Sequence, residues 1–413
     1  MTTTKQVRNY TIDIMRVLAG VIMATFHWIW AYGGGDRVVI NSYWGAYTYP
    51  NGLTGWDWFK GNYTMGFFVF VTGYFFVNHF KKLQRKGAFG GGHDGEQVYR
   101  FTANTYVKWA PLMLIGVTSH WIMANSHAGS DFMTWVNTLV WNIWQFVGIS
   151  GFGMLQRVTA NSQYITTYAA QLWYVAAYIA FCCFFYCIFV KDEKVAVFIV
   201  CPLALALANV SLDSPSWWAN DPTMLTGIEL LVPSDIVRLW GPLAYGIWGW
   251  YLVDAVKRSK LSKGIENGLG IAFLVLLAYA LVTTWTGYLG GMLNQDFVWM
   301  AVACICLIQR DPVTRAINNF VDKLPFKNYL ADISAGFYIM HEQILLVYGV
   351  DFAEMAGGSY GKGGLIYLGV CVVAAILATL LLRVVLRPLY GKLGNALKLN
   401  RPVEQMFDDQ VSA

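Results

Sequence analysis

Charge is what this sequence has least of. Only 13% of the 413 residues are charged, against about 25% in an ordinary soluble protein, while 56% are hydrophobic. This excludes a water-soluble globular chain and leaves a polytopic membrane protein. A short basic leader with a small-residue cleavage site is also lacking, so no removed signal peptide is expected. No cysteine stands outside the apolar runs: Cys182, Cys183, Cys187, Cys201, Cys304, Cys306 and Cys371 all fall within them. They read as small apolar packing residues, and neither disulfides nor a metal is expected. The Gly-rich stretch AFGGGHDGE (88–96) has no strand before it and no GK[ST] after it, which favours a plain linker over a phosphate-cradling loop.

Apolar runs are plentiful. Stretches long enough to cross a bilayer, or nearly so, begin near residues 11, 63, 103, 168, 195, 236, 266, 295, 330 and 364, and the one at 295–309 is short. The expected fold is therefore all-α, with about ten transmembrane helices. Placing the N-terminus inside puts 21 of the 29 Lys and Arg residues in cytoplasmic segments. An even number of spans with both termini cytoplasmic follows. The net charge of +5 is then a topology signal and gives no reason to invoke nucleic acid.

Residues 1–400 read as one transmembrane domain and 401–413 as a cytoplasmic tail. The segment FMTWVNTLVWNIWQFVGIS (132–150) would give an odd span count, so a re-entrant or interfacial helix is expected there. All tryptophans except Trp109, Trp248 and Trp250 fall on the outer side. Longer outer loops account for that, and so does a surface for stacking sugar rings. His79, His93, His120 and His127 lie at loop or span ends and read as solvated, as do the outer acids Asp213, Asp221, Glu229 and Asp235.

The first run, IDIMRVLAGVIMATFHW (12–28), carries Arg16 and His27. A charged Arg near a helix centre costs roughly 2.5–3.5 kcal/mol on insertion scales. Arg16 sits near the cytoplasmic end, where it can snorkel and pair with Asp13. His27 lies eleven residues on, close to three turns and about 16 Å along the axis, so both side chains leave nearly the same helix face.

YTIDIMRVLAGVIMATFHW resembles the first span of the acyltransferase-3 family of integral membrane O-acyltransferases, with its Arg, ten residues, then His. GFFVFVTGYFF (66–76), QLWYVAAYI (171–179) and ISAGFYIMHEQI (333–344) are similar to further family elements, in the family's order. One element departs. Where many members carry Arg-x-x-Arg before the third span, YRFTANTYVKWAP offers only Arg100 and Lys108, so the donor grip differs.

The resemblance implies a cell-membrane enzyme, in the bacterial inner or plasma membrane, that moves an acyl group, acetyl or a similar short acyl such as succinyl. The donor would be cytoplasmic acyl-CoA, a co-substrate and not a resident cofactor. The acceptor would be a hydroxyl of an extracytoplasmic glycan or another cell-envelope molecule. Arg16, with Lys108 and Arg100, would hold the CoA phosphates. His27 would act as general base or as a covalent acyl relay, and His341 would orient it, shuttle protons or line the acyl channel. Trp173, Tyr174 and Trp28 would face the acceptor, belt anchoring being the alternative for the first two. A polysaccharide-synthesis complex or homo-oligomer is compatible with this reading. The competing classes are a carrier exporting a sugar or small anion, against which the lack of matching inverted halves speaks, and a non-catalytic partner in envelope polysaccharide synthesis.

Overall fold

A computed structural model of the chain describes residues 8–32, 38–42, 45–49, 64–85, 87, 89, 94–146, 172–212, 234–286 and 295–397. These are helical apart from one antiparallel hairpin, β1 (Val38–Ser42) and β2 (Gly45–Tyr49), in which Val38 faces Tyr49 and Ser42 faces Gly45. The helices are α1 (Tyr10–Tyr32), α2 (Met65–Arg85), α3 (Asp94–Ala128), α4 (Phe132–Phe146) and α5 (Leu172–Lys191). Next, α6 runs from Glu193–Val195 through a π turn, Ala196–Val200, into Cys201–Leu212. Then come α7 (Ser234–Arg258), α8 (Lys263–Thr286), α9 (Gln295–Ile308), α10 (Pro312–Asp322), α11 (Leu330–Met355) and α12 (Tyr360–Leu381). A second π turn, Leu382–Leu386, leads into α13 (Arg387–Ala396). All seven cysteines are free thiols.

Four helices among the described residues are long and apolar enough to cross a membrane, over Tyr10–Trp28, Lys263–Val282, Lys327–Met355 and Gly361–Ala396. A fifth arises if α9 and α10, bent by 73°, form one broken span. Buried residues make up 61% of the apolar window in α1 and in α11, but only 17% in α8. The outward residues of α8 (Ile271, Leu274, Val275) and α12 (Val373, Leu377) are at least half exposed. An apolar face of that kind suits lipid, since in water it would be a large unshielded patch. The chain is thus a helical, membrane-embedded protein; the expectation of about ten spans goes beyond these helices.

The contacts divide the chain into two compact units, residues 1–72 with 249–379, and residues 73–248 with 380–413. In the first, α1 packs most extensively on α11. Small residues permit close approach: a methyl group added at Gly336 on α11 would lie 2.7 Å from the carbonyl of Ala375 on α12. The start of α1 is held by side chains from elsewhere. Its first N–H groups have no partner within the helix, and the Tyr10 N–H donates to Asn318 Oδ1 on α10 at 2.7 Å. Asn9 Oδ1 caps the Ile12 N–H at 3.3 Å, and its amide donates to the Cys306 carbonyl at 2.7 Å. The Thr11 hydroxyl donates to the Thr314 carbonyl at 2.9 Å.

The elbow that supplies these partners has a local cause. Gln309 takes a left-handed φ of 53° and ends α9. Asp311 then caps α10, accepting from the Thr314 N–H at 2.8 Å and from its hydroxyl, and Pro312 opens the new helix without needing a donor. Asn318→Ala leaves the buried Tyr10 amide without that acceptor and should lower unfolding free energy by about 1–2 kcal/mol. Thermal melting in detergent would register it, and Asn318→Asp, which keeps an acceptor, should lose less.

In the second unit α3 packs along α5, with Phe101 stacked on Tyr186 at 4.0 Å between ring centres. Lys81 pairs with Glu193 at 2.5 Å and Lys191 with Asp94 at 3.3 Å. A methyl on Gly73, the glycine of the TGY element, would come within 2.3 Å of the Leu243 carbonyl on α7; the glycine is a helix-crossing residue. Asp131 caps α4, accepting from the Thr134 N–H at 2.7 Å, and these bonds hold its carboxyl below the usual range. The fifteen residues of α4 span about 22 Å, short of a bilayer core of about 30 Å. Its inner face meets α3 through Thr138, which accepts from Asn125 Nδ2 at 3.1 Å, and through Trp135, edge-on to Trp121. Phe132, Met133, Val140 and Ile143 point outward. His120, expected at a span end and solvated, is instead fully buried on α3, which packs against α4 and α5.

Candidate active site at a histidine pair

The apolar interface of α1 with α11 brings two histidine rings together. His27 Nδ1 lies 3.0 Å from His341 Nε2, with ring centres 5.0 Å apart and planes within 14°. The two positions are 314 residues apart in sequence. On its other side, His341 Nδ1 lies 2.9 Å from the Phe337 carbonyl, one turn back on α11. A carbonyl only accepts, so Nδ1 of His341 carries the hydrogen. With both rings neutral, His341 Nε2 is then an acceptor, and His27 Nδ1–H must donate to it. The chain of bonds leaves the lone pair of His27 on Nε2. One backbone carbonyl therefore dictates, through two rings, which nitrogen of His27 can take a proton or attack a carbon.

Burial differs across the pair. His341 is 2% exposed, while His27 keeps partial access. The Phe337 ring stacks beside His341 at 6.2 Å, and the Tyr367 hydroxyl on α12 donates to the His341 carbonyl at 3.1 Å. Glu342 completes the group: one ligand-capable atom from each of His27, His341 and Glu342 lies within 4.8 Å of the others. Two imidazoles and a carboxylate can pass a proton, stabilise an imidazolium, or hold a metal ion.

The other expected residues are placed as follows. Arg16 lies on α1 with its guanidinium 3.5 Å from Asp13, and Asp13 also receives Arg8 at 2.8 Å. Arg16 belongs to the first unit; Arg100 and Lys108, on α3, belong to the second. Arg100 is held by Glu96 at 2.5 Å and Lys108 is exposed. Trp28 is 3% exposed, stacked on Tyr367 at 5.5 Å and pressed against Gly363 and Gly364, where an added methyl would come within about 3 Å of the indole. It is a packed wall of the interface and presents no open stacking surface. Trp173 and Tyr174 fall in the first turn of α5, and their side chains lie outside the described residues, as do His93, the outer acids Asp213, Asp221 and Glu229, and the 401–413 tail.

Sequence reasoning singled out both histidines but not their direct contact. It missed Phe337 as the residue that sets the tautomer and Tyr367 as the brace. The only signal for the first was the i−4 spacing from Phe337 to His341 on one helix face, which any helix offers.

Fold and site together define a helical membrane protein with a tautomer-locked histidine pair between two of its apolar helices. Comparison with protein-family models, curated proteins and solved structures finds no match to this chain.

Proposed function

We propose that the protein is an integral-membrane O-acyltransferase with about ten spans and both termini cytoplasmic. In this reading it transfers a short acyl group from cytoplasmic acyl-CoA to a hydroxyl of an extracytoplasmic glycan or related envelope acceptor. The observation that carries the reading is the bond series Phe337 carbonyl, His341, His27, which leaves the lone pair on Nε2 of a partly exposed His27 at an apolar helix interface. Acyl transfer to a hydroxyl calls for such a directed base.

The chemistry is direct. His27 Nε2 takes the proton of the acceptor hydroxyl as its oxygen attacks the thioester carbonyl, and the C–S bond breaks. The departing thiolate recovers that proton from Nε2. While His27 is an imidazolium, its Nδ1–H bond to His341 strengthens, and the nearby Glu342 carboxylate lies where positive charge develops. The same lone pair serves the covalent variant, in which Nε2 attacks the thioester first and the acyl-imidazole then meets the hydroxyl. Arg16, about 16 Å away along α1, stands at the end this topology assigns to the cytoplasm and would meet the donor phosphates there.

Envelope glycans from cells with and without the protein should differ by an added acyl mass, dependent on acyl-CoA supply. Identical glycans, together with acyl-CoA-independent solute flux through the purified protein in liposomes, would replace this reading with a carrier.

A further inference from the structure

The two imidazole nitrogens are placed for a metal ion as well as for a proton. Two nitrogens bound to one tetrahedral ion at about 2.05 Å lie about 3.3 Å apart, and His27 Nδ1 and His341 Nε2 are 3.0 Å apart. Glu342 adds a carboxylate, one ligand-capable atom from each of the three residues lying within 4.8 Å of the others. Two histidines and a glutamate are a donor set for zinc-class ions, with the fourth position left open. An independent observation supports it: ligating histidines commonly donate their other ring N–H to a backbone carbonyl, which fixes the ring and raises its basicity. His341 does this through Nδ1 to Phe337 at 2.9 Å.

We propose that His27 Nδ1, His341 Nε2 and Glu342 form a binding site for a divalent zinc-class ion, and that this ion switches the histidine pair off. The protons balance within the pair. Metal binding needs the electron pair on His27 Nδ1, so the hydrogen there moves to Nε2, and the ring stays neutral with its tautomer inverted. His341 keeps its hydrogen on Nδ1 and gives Nε2 to the metal. Glu342 supplies one negative charge against the two positive charges of the ion. Nε2 of His27, the free base of the metal-free pair, now carries a hydrogen and can accept nothing. Only the switching half of the proposal rests on the acyl-transfer reading; binding does not.

The test uses full-length protein in detergent or nanodiscs, freed of metal with a chelator and titrated with Co²⁺ as a spectroscopic stand-in for Zn²⁺. One Co²⁺ per chain should bind with the intense visible absorption of a four-coordinate ion, and Zn²⁺ should displace it. Outer-shell partners of a metal are worth about 10–100-fold in affinity, so loss of a direct ligand in Glu342→Gln or His341→Ala should weaken binding by at least that much. His127→Ala, exposed on α3, should change nothing. Should His341→Ala fail to fold, Glu342→Gln decides, because it keeps the side-chain volume. Only weak octahedral absorption, unchanged binding in Glu342→Gln, or sulfur-to-cobalt charge transfer placing the ion on cysteines would each overturn the site. Saturating Zn²⁺ should also lower acyl transfer at least tenfold, with recovery on adding chelator. The expected cobalt spectrum with undiminished acyl transfer would remove the switch alone, and a protein with no acyl transfer would still be judged by its spectrum.

Discussion

Replacing His27 with alanine is expected to abolish acyl modification of the acceptor, a loss of about 10³-fold or more in rate, equivalent to about 4 kcal/mol of barrier. The expectation follows from the bond series, because the one nitrogen freed by the change, His341 Nε2, is set back from the position of His27 Nε2 on a ring that is 2% exposed. His341 spends Nδ1 on the Phe337 carbonyl and Nε2 on His27, so deleting His27 leaves an acceptor facing a cavity and no positioned base. His27→Asn makes the sharper control. The asparagine Nδ2 comes close to the position of histidine Nδ1 and keeps a donor toward His341 Nε2, so the interface stays satisfied while the base is gone. His27→Asn should insert, fold and melt near the wild type, while His27→Ala, which leaves the buried His341 Nε2 without its partner, should fold but melt lower. Glycan acylation measured by mass spectrometry, alongside melting in detergent, separates the two effects. Unchanged acylation in His27→Asn would remove His27 from the chemistry.

Much of α1 was legible because its features are local. Arg16 and His27 are unusual in an apolar run, their spacing puts them on one face, and Asp13 one turn before Arg16 foretells the ion pair found there. The run at 295–309 is short for a span, and α9 does end there, but the 73° bend into α10 goes with the left-handed backbone of Gln309, which hydropathy does not reveal. Composition and periodicity did not give the partner of His27; only the family resemblance offered His341 as a residue that would orient it, among other roles. Periodicity tells which face of a helix is apolar, but not which of several apolar helices it meets, and a residue 314 positions away is chosen by long-range packing, such as that of Trp28 against Gly363 and Gly364, that no local pattern encodes. Trp28 illustrates the same limit. An outer-end tryptophan can stack on a ligand or on a tyrosine, and only the approach of Gly363 and Gly364 shows that it does the second. His120 sat at a span end by hydropathy, yet helices packed on two sides of α3 bury it.

His341→Ala should cost about 10²-fold or more in acyl transfer while leaving His27 in place, because it removes the acceptor that holds the proton of His27 on Nδ1. A free imidazole divides its hydrogen between both nitrogens, which costs a few-fold, and the larger part of the loss comes from the freedom of the unanchored ring to leave its reactive position. Inverting the tautomer of a catalytic histidine in a serine-protease triad costs about 10⁴-fold in kcat, which sets the upper end of the expected loss. As a positioning residue, His341 should act on kcat with little change in KM, since it is 2% exposed and set behind His27. Glutamine should restore part of the activity: its Oε1 reaches near the place of imidazole Nε2 and accepts from His27 Nδ1–H. Alanine cannot. Nitrogen NMR of ¹⁵N-histidine-labelled protein gives a readout that packing loss alone would not move. The wild type should show His27 with a protonated Nδ1 and an unprotonated Nε2; His341→Ala should average the two, and His341→Gln should return the wild-type pattern. A His27 tautomer unaltered in His341→Ala would show that the Phe337 carbonyl does not govern the base, whatever happens to the rate.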